Sequence, residues 1–316
     1  MSAVAEPAVP VRLHTSEGGG FTAAGLLFGA LTVLCWASYN VAAKHGIDAG
    51  FAPVDLAALR FGVGGLVLIP LLIFGPRWRA RLPSLKATLV LTLLGGPLFS
   101  VLAVWGFTYA PLTHGVLFAP AANFIVGSLL GVLWLHEKVG RRHLVGGAVM
   151  LTGLAVLSGV DATTLGPETL KGDLLFMATG STWALFTALM RRWRIDPVAG
   201  VLAQGSAAAL LAPVVWLVIG GGRMFEMPQD AFLTQVVFQG IVGGLGSSFA
   251  FFAAVGALGA TRASMLGPMV PVAAVLMAAA VYLEPPRAID LAGVSLVTLG
   301  LVIATVVRPF RARPPA

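Results

Sequence analysis

The sequence predicts an all-α polytopic membrane protein of ten transmembrane helices, built as two inverted five-helix repeats. Three observations lead there: an apolar composition, ten apolar runs of membrane-spanning length, and a block of sequence that occurs twice, half a chain apart. Of the 316 residues, 58% are apolar and 10% charged, whereas a soluble domain carries about 25% charged residues. Most of the surface of such a chain has hydrocarbon against it. The 39 Gly and 20 Pro fit that class, because both are tolerated in membrane helices, where neighbouring helices and polar side chains re-satisfy freed backbone groups.

A spanning helix needs about 20 predominantly apolar residues. The runs that qualify are 22–43, 53–74, 87–109, 113–135 and 142–160, then 172–192, 198–219, 231–255, 260–283 and 288–307. The apolar stretch 87–135 is too long for one span and divides at Tyr109-Ala110-Pro111; the stretch 231–283 divides around Gly256 to Arg262. The chain then partitions into a disordered cytoplasmic tail (1–21), a first repeat (22–160), a periplasmic linker (161–171), a second repeat (172–307) and a basic cytoplasmic tail (308–316). The first residues lack the charged start and apolar centre of a signal peptide. Cys35 is the single cysteine, so no intrachain disulfide forms.

The net charge of +7 is distributed in short loop clusters, which sets membrane orientation rather than nucleic-acid binding. With the N-terminus inside, 15 Lys and Arg fall on inner segments, 4 on outer ones (Lys44, Lys171, Arg223, Arg287), and Arg60 lies within a span. That bias places both termini in the cytoplasm and the protein in the inner (plasma) membrane as a multi-pass species.

The repeat shows in spacing. Glu137 is followed by Gly146 and Gly153, and Glu284 by Gly293 and Gly300, an offset of 147 residues. Trp36-Ala37 recurs as Trp183-Ala184 and Lys44 as Arg191 at the same offset; Gly95-Gly96 recurs as Gly243-Gly244 and Pro120 as Pro268 at 148. An odd number of spans per repeat makes the second half enter the membrane from the opposite side. This is the inverted arrangement of secondary transporters, whose solute site lies near the midplane between repeats.

The segments WASYNVAAK (36–44), LRFGVGG (59–65) and GDLLFMATGSTWALFTALMRR (172–192), with a Glu closing the fourth and ninth spans before a Gly-containing helix, resemble the EamA family of the drug/metabolite transporter superfamily. The resemblance covers 21–307. It departs at the Pro thirteen residues before the helix-end Glu: Pro271 is present, but the first repeat has Phe124 there and Pro120 instead, which shifts the expected bend by a turn. The resemblance implies a ten-helix metabolite transporter, often an exporter of amino acids or other metabolites; the inverted repeats imply alternating access, one repeat rocking against the other. The resemblance does not supply the substrate.

Candidate solute-binding residues follow from position. Trp36, Asn40 and Lys44 are spaced by four, as are Trp183, Thr187 and Arg191, so each trio shares a helix face. They either line a solute path or pack between helices, with the cations favouring helix C-termini. Arg60 lies seven residues past Pro53, about 10 Å into its span. It holds a solute carboxylate or clamps neighbouring helices; Asp55, five residues away, is off its face. Asn123, Gln239, Ser247 and Ser248 either line the cavity or tie helices together. Tyr39, Trp105, Tyr109 and Phe186 complete an aromatic set that suits an amino acid, aromatic ones included.

No Asp or Glu falls in the middle of a span. That argues against an organic cation as substrate and for a neutral, zwitterionic or anionic one; it leaves His114 as the candidate proton carrier. No cofactor or metal is expected, although His136 and His143 flank Glu137. The expected partners are a small-molecule substrate and membrane lipid, not nucleic acid, and a monomer suffices. The alternatives are a drug or toxic-compound efflux carrier and, in a different class, an intramembrane enzyme, for which Gly246-Ser247-Ser248-Phe249 fails the Gly-x-Ser-Gly nucleophile pattern.

Overall fold

The structure is a computed structural model that describes residues 22–75, 81–136, 140–159, 166–219, 221–258 and 263–305. All regular structure in them is helical. The helices are α1 (Ala23–Asp48), α2 (Pro53–Phe74), α3 (Leu85–Gly95), α4 (Pro97–Tyr109), α5 (Leu112–Leu135), α6 (Arg141–Gly159), α7 (Pro167–Arg192) and α8 (Pro197–Val218). Then α9 (Gln229–Gln235) runs through a π-helical stretch, Val236–Gly246, into α10 (Ser247–Leu258). A 3₁₀ turn, Ser264–Met269, leads into α11 (Val270–Tyr282), and α12 (Ala288–Thr305) follows. Grouped by continuity these make ten helical segments among the described residues. Seven are long and apolar enough to cross a membrane, with shorter apolar helices at Leu266–Tyr282 and Ala288–Ala304. Large apolar side chains such as Leu66, Phe74, Leu85 and Val218 stand exposed on the outside, as a lipid-facing surface requires.

Helix starts follow from local chemistry. Thr22, Ser84 and Asp196 each accept a hydrogen bond from the backbone N–H three residues on, satisfying a donor that the first turn leaves open. Prolines open α2, α4, α7 and α8, where a missing N–H costs nothing. The expected span 87–109 is observed as two helices that meet at Gly96. Pro97 supplies no donor to continue α3, and a Cβ on Gly96 would overlap the Thr92 carbonyl. Pro120, in contrast, lies inside an α5 that runs on to Leu135. The expected span 231–255 is longer, and its π-helical stretch is not a feature that apolar periodicity reports. The two tails, Glu137 and the linker residues 161–165 lie outside the described residues.

The two copies of the repeated block end alike. His136 closes α5 at φ 54 and Leu283 closes α11 at φ 57, both left-handed stops, 147 residues apart. The packing pairs also correspond: α7 packs on α4 and α5 as α1 packs on α10 and α11, while α2 packs on α8 and α6 on α12. Small residues set the closest of these contacts. A Cβ on Gly240 would lie 2.5 Å from Val63 Cβ, and one on Gly244 would lie 2.9 Å from the Arg60 carbonyl oxygen, so the π-helical stretch and α2 approach nearly backbone to backbone.

Candidate functional site

Between the two halves lies a cavity of about 680 Å³ walled by α1, α2, α3, α4, α7, α8, the π-helical stretch and α10, a size that suits a small organic solute. It extends to Arg191 and Arg194, exposed at the C-terminal end of α7. At the other end of the bundle Asp55 is fully buried. It accepts hydrogen bonds from Trp216 Nε1 at 2.7 Å, Arg223 N at 2.9 Å and Ala52 N at 3.0 Å. That cluster fastens α2 to the end of α8 and the segment after it.

Five of the eleven predicted residues line the cavity: Trp36, Arg60, Trp183, Thr187 and Ser247. Trp36 and Trp183, equivalent under the 147-residue offset, face it from different walls. Trp36 packs on Phe251 at 5.3 Å, and Trp183 lies between Phe99 at 5.2 Å and Phe186 at 5.0 Å. The Arg60 guanidinium sits 4.1 Å over the Tyr39 ring, an attraction that holds the cation without neutralising it. Among the described residues Arg60 has no carboxylate partner, because the three bonds of Asp55 go elsewhere. Thr187 and Ser247 donate to the carbonyl oxygens of Ala184 and Gly243 at 2.9 and 2.6 Å. Their lone pairs remain for a solute.

The other six are placed elsewhere, each for a physical reason. Tyr39 carries Arg60 on its ring. Asn40 Nδ2 donates to the Trp36 carbonyl at 2.8 Å, so its amide is committed within α1. Gln239, 1% exposed, donates to the Tyr39 carbonyl at 2.9 Å and ties the π-helical stretch to α1. Trp105 is 46% exposed on the outside of α4. Tyr109 stands at the end of that helix, 5.7 Å from the Lys171 ammonium. Asn123 belongs to the α5–α7 contact, where a Cβ on Gly180 would lie 2.8 Å from its backbone nitrogen.

Sequence reasoning missed Gln204. It is 7% exposed on the cavity wall, and its Nε2 has no hydrogen-bond partner among the described residues. The only signal was a neutral amide within an Ala-rich span. It also missed a buried acid–base pair: His114, 2% exposed, donates from Nδ1 to Asp173 Oδ1 at 2.7 Å. Asp173 lies 59 residues on, in the second turn of α7, so no local spacing announces it. The candidate metal position at His136 and His143 forms no cluster of ligating side chains among the described residues. His143 instead meets Ser128 Oγ at 2.6 Å and stacks on Phe124.

The lining residues described include three arginines, Arg60, Arg191 and Arg194, and no carboxylate. Arg60 is the cation that lies within a span, set among apolar and aromatic walls.

An apolar-surfaced helical bundle around a solute-sized cavity defines a multi-pass membrane protein of the transporter class. The chain belongs to the EamA-like transporter family, part of the drug/metabolite transporter superfamily, whose family model matches it twice, over residues 23–159 and 170–306. It is similar to the uncharacterized transporter YyaM of Bacillus subtilis (strain 168), 24% identical over 292 residues that span 87% of this chain and 90% of that protein. It is also similar to the uncharacterized transporter YetK of the same organism, 22% identical over 263 residues, 80% of this chain and 79% of that protein. A crystal structure of a protein aligns over 89% of this chain and 96% of its own at TM-score 0.60 and 23% identity, a likeness of fold.

Proposed function

We propose that the protein is a secondary transporter, working by alternating access, that exports amino acids or related zwitterionic and anionic metabolites. The observation that carries this reading is the cavity between the two halves, with Trp36 and Trp183 at equivalent positions on its walls and Arg60 within it. Two inverted five-helix repeats are supported by the double match of the family model, by the matching stops at His136 and Leu283, and by the exchange of packing pairs between halves. With both termini in the cytoplasm, as the loop charges favour, the Arg191 end of the cavity is cytoplasmic. The Asp55 cluster then closes the periplasmic side. No enzymatic step is proposed, in keeping with the transporter family to which the chain belongs.

Reconstituted in liposomes, the protein is expected to exchange labelled amino acids and related carboxylates across the bilayer. A broad panel giving no flux above protein-free vesicles would retire this reading. The efflux of cationic drugs is the weaker alternative, because the described lining offers such a solute no carboxylate.

A further inference from the structure

The transporter reading leaves open which solute the cavity prefers, and the following inference rests on that reading. Within the zwitterionic and anionic metabolites of that reading, we propose that the cavity prefers the organic monoanion over the amino acid of the same body: a carboxylate on an aromatic-sized apolar group, with an acceptor oxygen at its far end. The carboxylate sits on Arg60, the body between the aromatic walls, and the far oxygen on Gln204.

The placement follows from the α2–α8 contact. Gly65 lies against Ala209 and Gly205 against Leu68, so the helices run antiparallel and Gln204 sits at the level of Leu68. Arg60 is eight residues earlier on α2, about 12 Å along the axis. The two groups therefore stand at different depths of one cavity, too far apart to share a carboxylate and well placed to hold the two ends of an elongated solute. Trp36 and Trp183 stand on the walls of the same cavity.

Each end requests a particular chemistry. Arg60 is held over the Tyr39 ring without a carboxylate partner among the described residues, so its fork of N–H donors is available to an oxyanion. Gln204 lines the cavity and keeps a buried amide donor without a partner among the described residues; a turn of its side chain brings that donor to an acceptor oxygen in the cavity, which relieves the unpaired state. For an ammonium the cavity offers much less. In an α-amino acid the ammonium is attached next to the carboxylate, which brings it beside the Arg60 guanidinium. Among the described lining residues there is no acid to offset that repulsion. Ser247, Ser248 and Thr187 spend their hydroxyl protons on the carbonyls of their own helices and offer an ammonium only neutral lone pairs.

The test is equilibrium binding to the full-length protein in nanodiscs, followed by tryptophan fluorescence and by calorimetry. Hydrocinnamate, phenylalanine and phenethylamine share a ring and chain but differ in charge. The expected order is hydrocinnamate tightest, phenylalanine about tenfold weaker and phenethylamine weakest, as like-charge repulsion near Arg60 requires. A ring hydroxyl para to the chain of hydrocinnamate is expected to tighten binding several-fold, and Gln204→Leu to remove that increment alone. Arg60→Gln is expected to weaken hydrocinnamate by about tenfold or more, the loss of a charge-assisted contact, and thermal melting reports whether either variant folds. The wild-type ranking needs no variant. Phenylalanine binding as tightly as hydrocinnamate, or a ring-hydroxyl increment untouched in folded Gln204→Leu, would overturn the inference while leaving a transporter. Absence of vesicle flux for every compound that binds would retire the transporter reading with it.

Discussion

Gly146 and Gly300 touch backbone to backbone: a Cβ on either would lie 2.5 Å from the other's carbonyl oxygen. The contact joins α6 to α12, and with Gly153 against Leu296 and Val297 it runs antiparallel along both helices. Gly146→Ala and Gly300→Ala are each expected to force the helices apart, at a cost of about 1–3 kcal/mol for overpacking. The double variant should lose less than the sum, since both substitutions open one contact. Thermal unfolding in detergent reads this directly, and full additivity would mean the two glycines do not meet.

The buried pair His114–Asp173 fastens α5 to α7. Removing one partner leaves the other unpaired where both are buried, with Phe118 stacked on His114. Leaving a buried hydrogen-bonding group unpaired costs about 1–3 kcal/mol, more for a carboxylate. His114→Ala and Asp173→Ala should therefore each lower the melting temperature clearly, and the double variant should recover part of the loss. Other ionisable groups on neighbouring elements have partners of their own: Lys171 with Glu168, Lys44 with Asp48, and Arg287 with Asp290. A double variant worse than the sum of the singles would show that the pair is not a closed unit.

The ten apolar runs and the Glu-x8-Gly-x6-Gly repeat were legible because lipid imposes length and composition on a helix and close helix packing imposes Gly. That is why Gly146 and Gly300, read only as spacing, prove to be a contact. The site was half legible. Trp36 and Trp183 stood out because a repeated indole marks equivalent positions, but helical spacing does not say which face meets the cavity. Asn40 shares a face with Trp36 and still spends its amide on the helix carbonyl. Trp105 was grouped with the cavity aromatics because its direction depends on the helix break at Gly96, which apolar periodicity does not report. Asp55 and Asp173 were passed over because their partners, Trp216 and His114, lie 161 and 59 residues away, beyond the reach of any local pattern.

Two tryptophans separate the cavity from the lipid-facing surface. Trp183 lies between Phe99 and Phe186 on the cavity wall, whereas Trp105 points outward. Trp183→Ala is expected to weaken solute binding by about tenfold, the value of a lost aromatic contact of roughly 1–1.5 kcal/mol. Trp105→Ala should leave affinity unchanged. Calorimetry on the two variants against the wild type decides, and equal losses would displace the site from this cavity.

Asp55 and Trp216 supply the sharpest test of alternating access. The Asp55 carboxylate is fully buried and collects three N–H donors, one from its own helix start and two from α8 and the segment that follows. Asp55→Asn keeps the shape but replaces one acceptor oxygen with a donor facing donors. It gives up charge-assisted bonds worth about 1.5–3 kcal/mol each. Trp216→Phe removes a single one, so its cost should be smaller. Gly222→Ala should resemble Asp55→Asn, because its new Cβ would overlap the carboxylate. If the cluster closes one side of a moving carrier, these changes do more than destabilise: they expose what lies beneath. With Cys35→Ser as background, a Met224→Cys reporter, buried in the parent protein, should react faster with a membrane-impermeant thiol reagent in the order Asp55→Asn, Trp216→Phe, parent. Lowered melting temperatures with unchanged labelling would make the cluster a fixed brace, and the closing role would pass to other contacts at that end of the bundle.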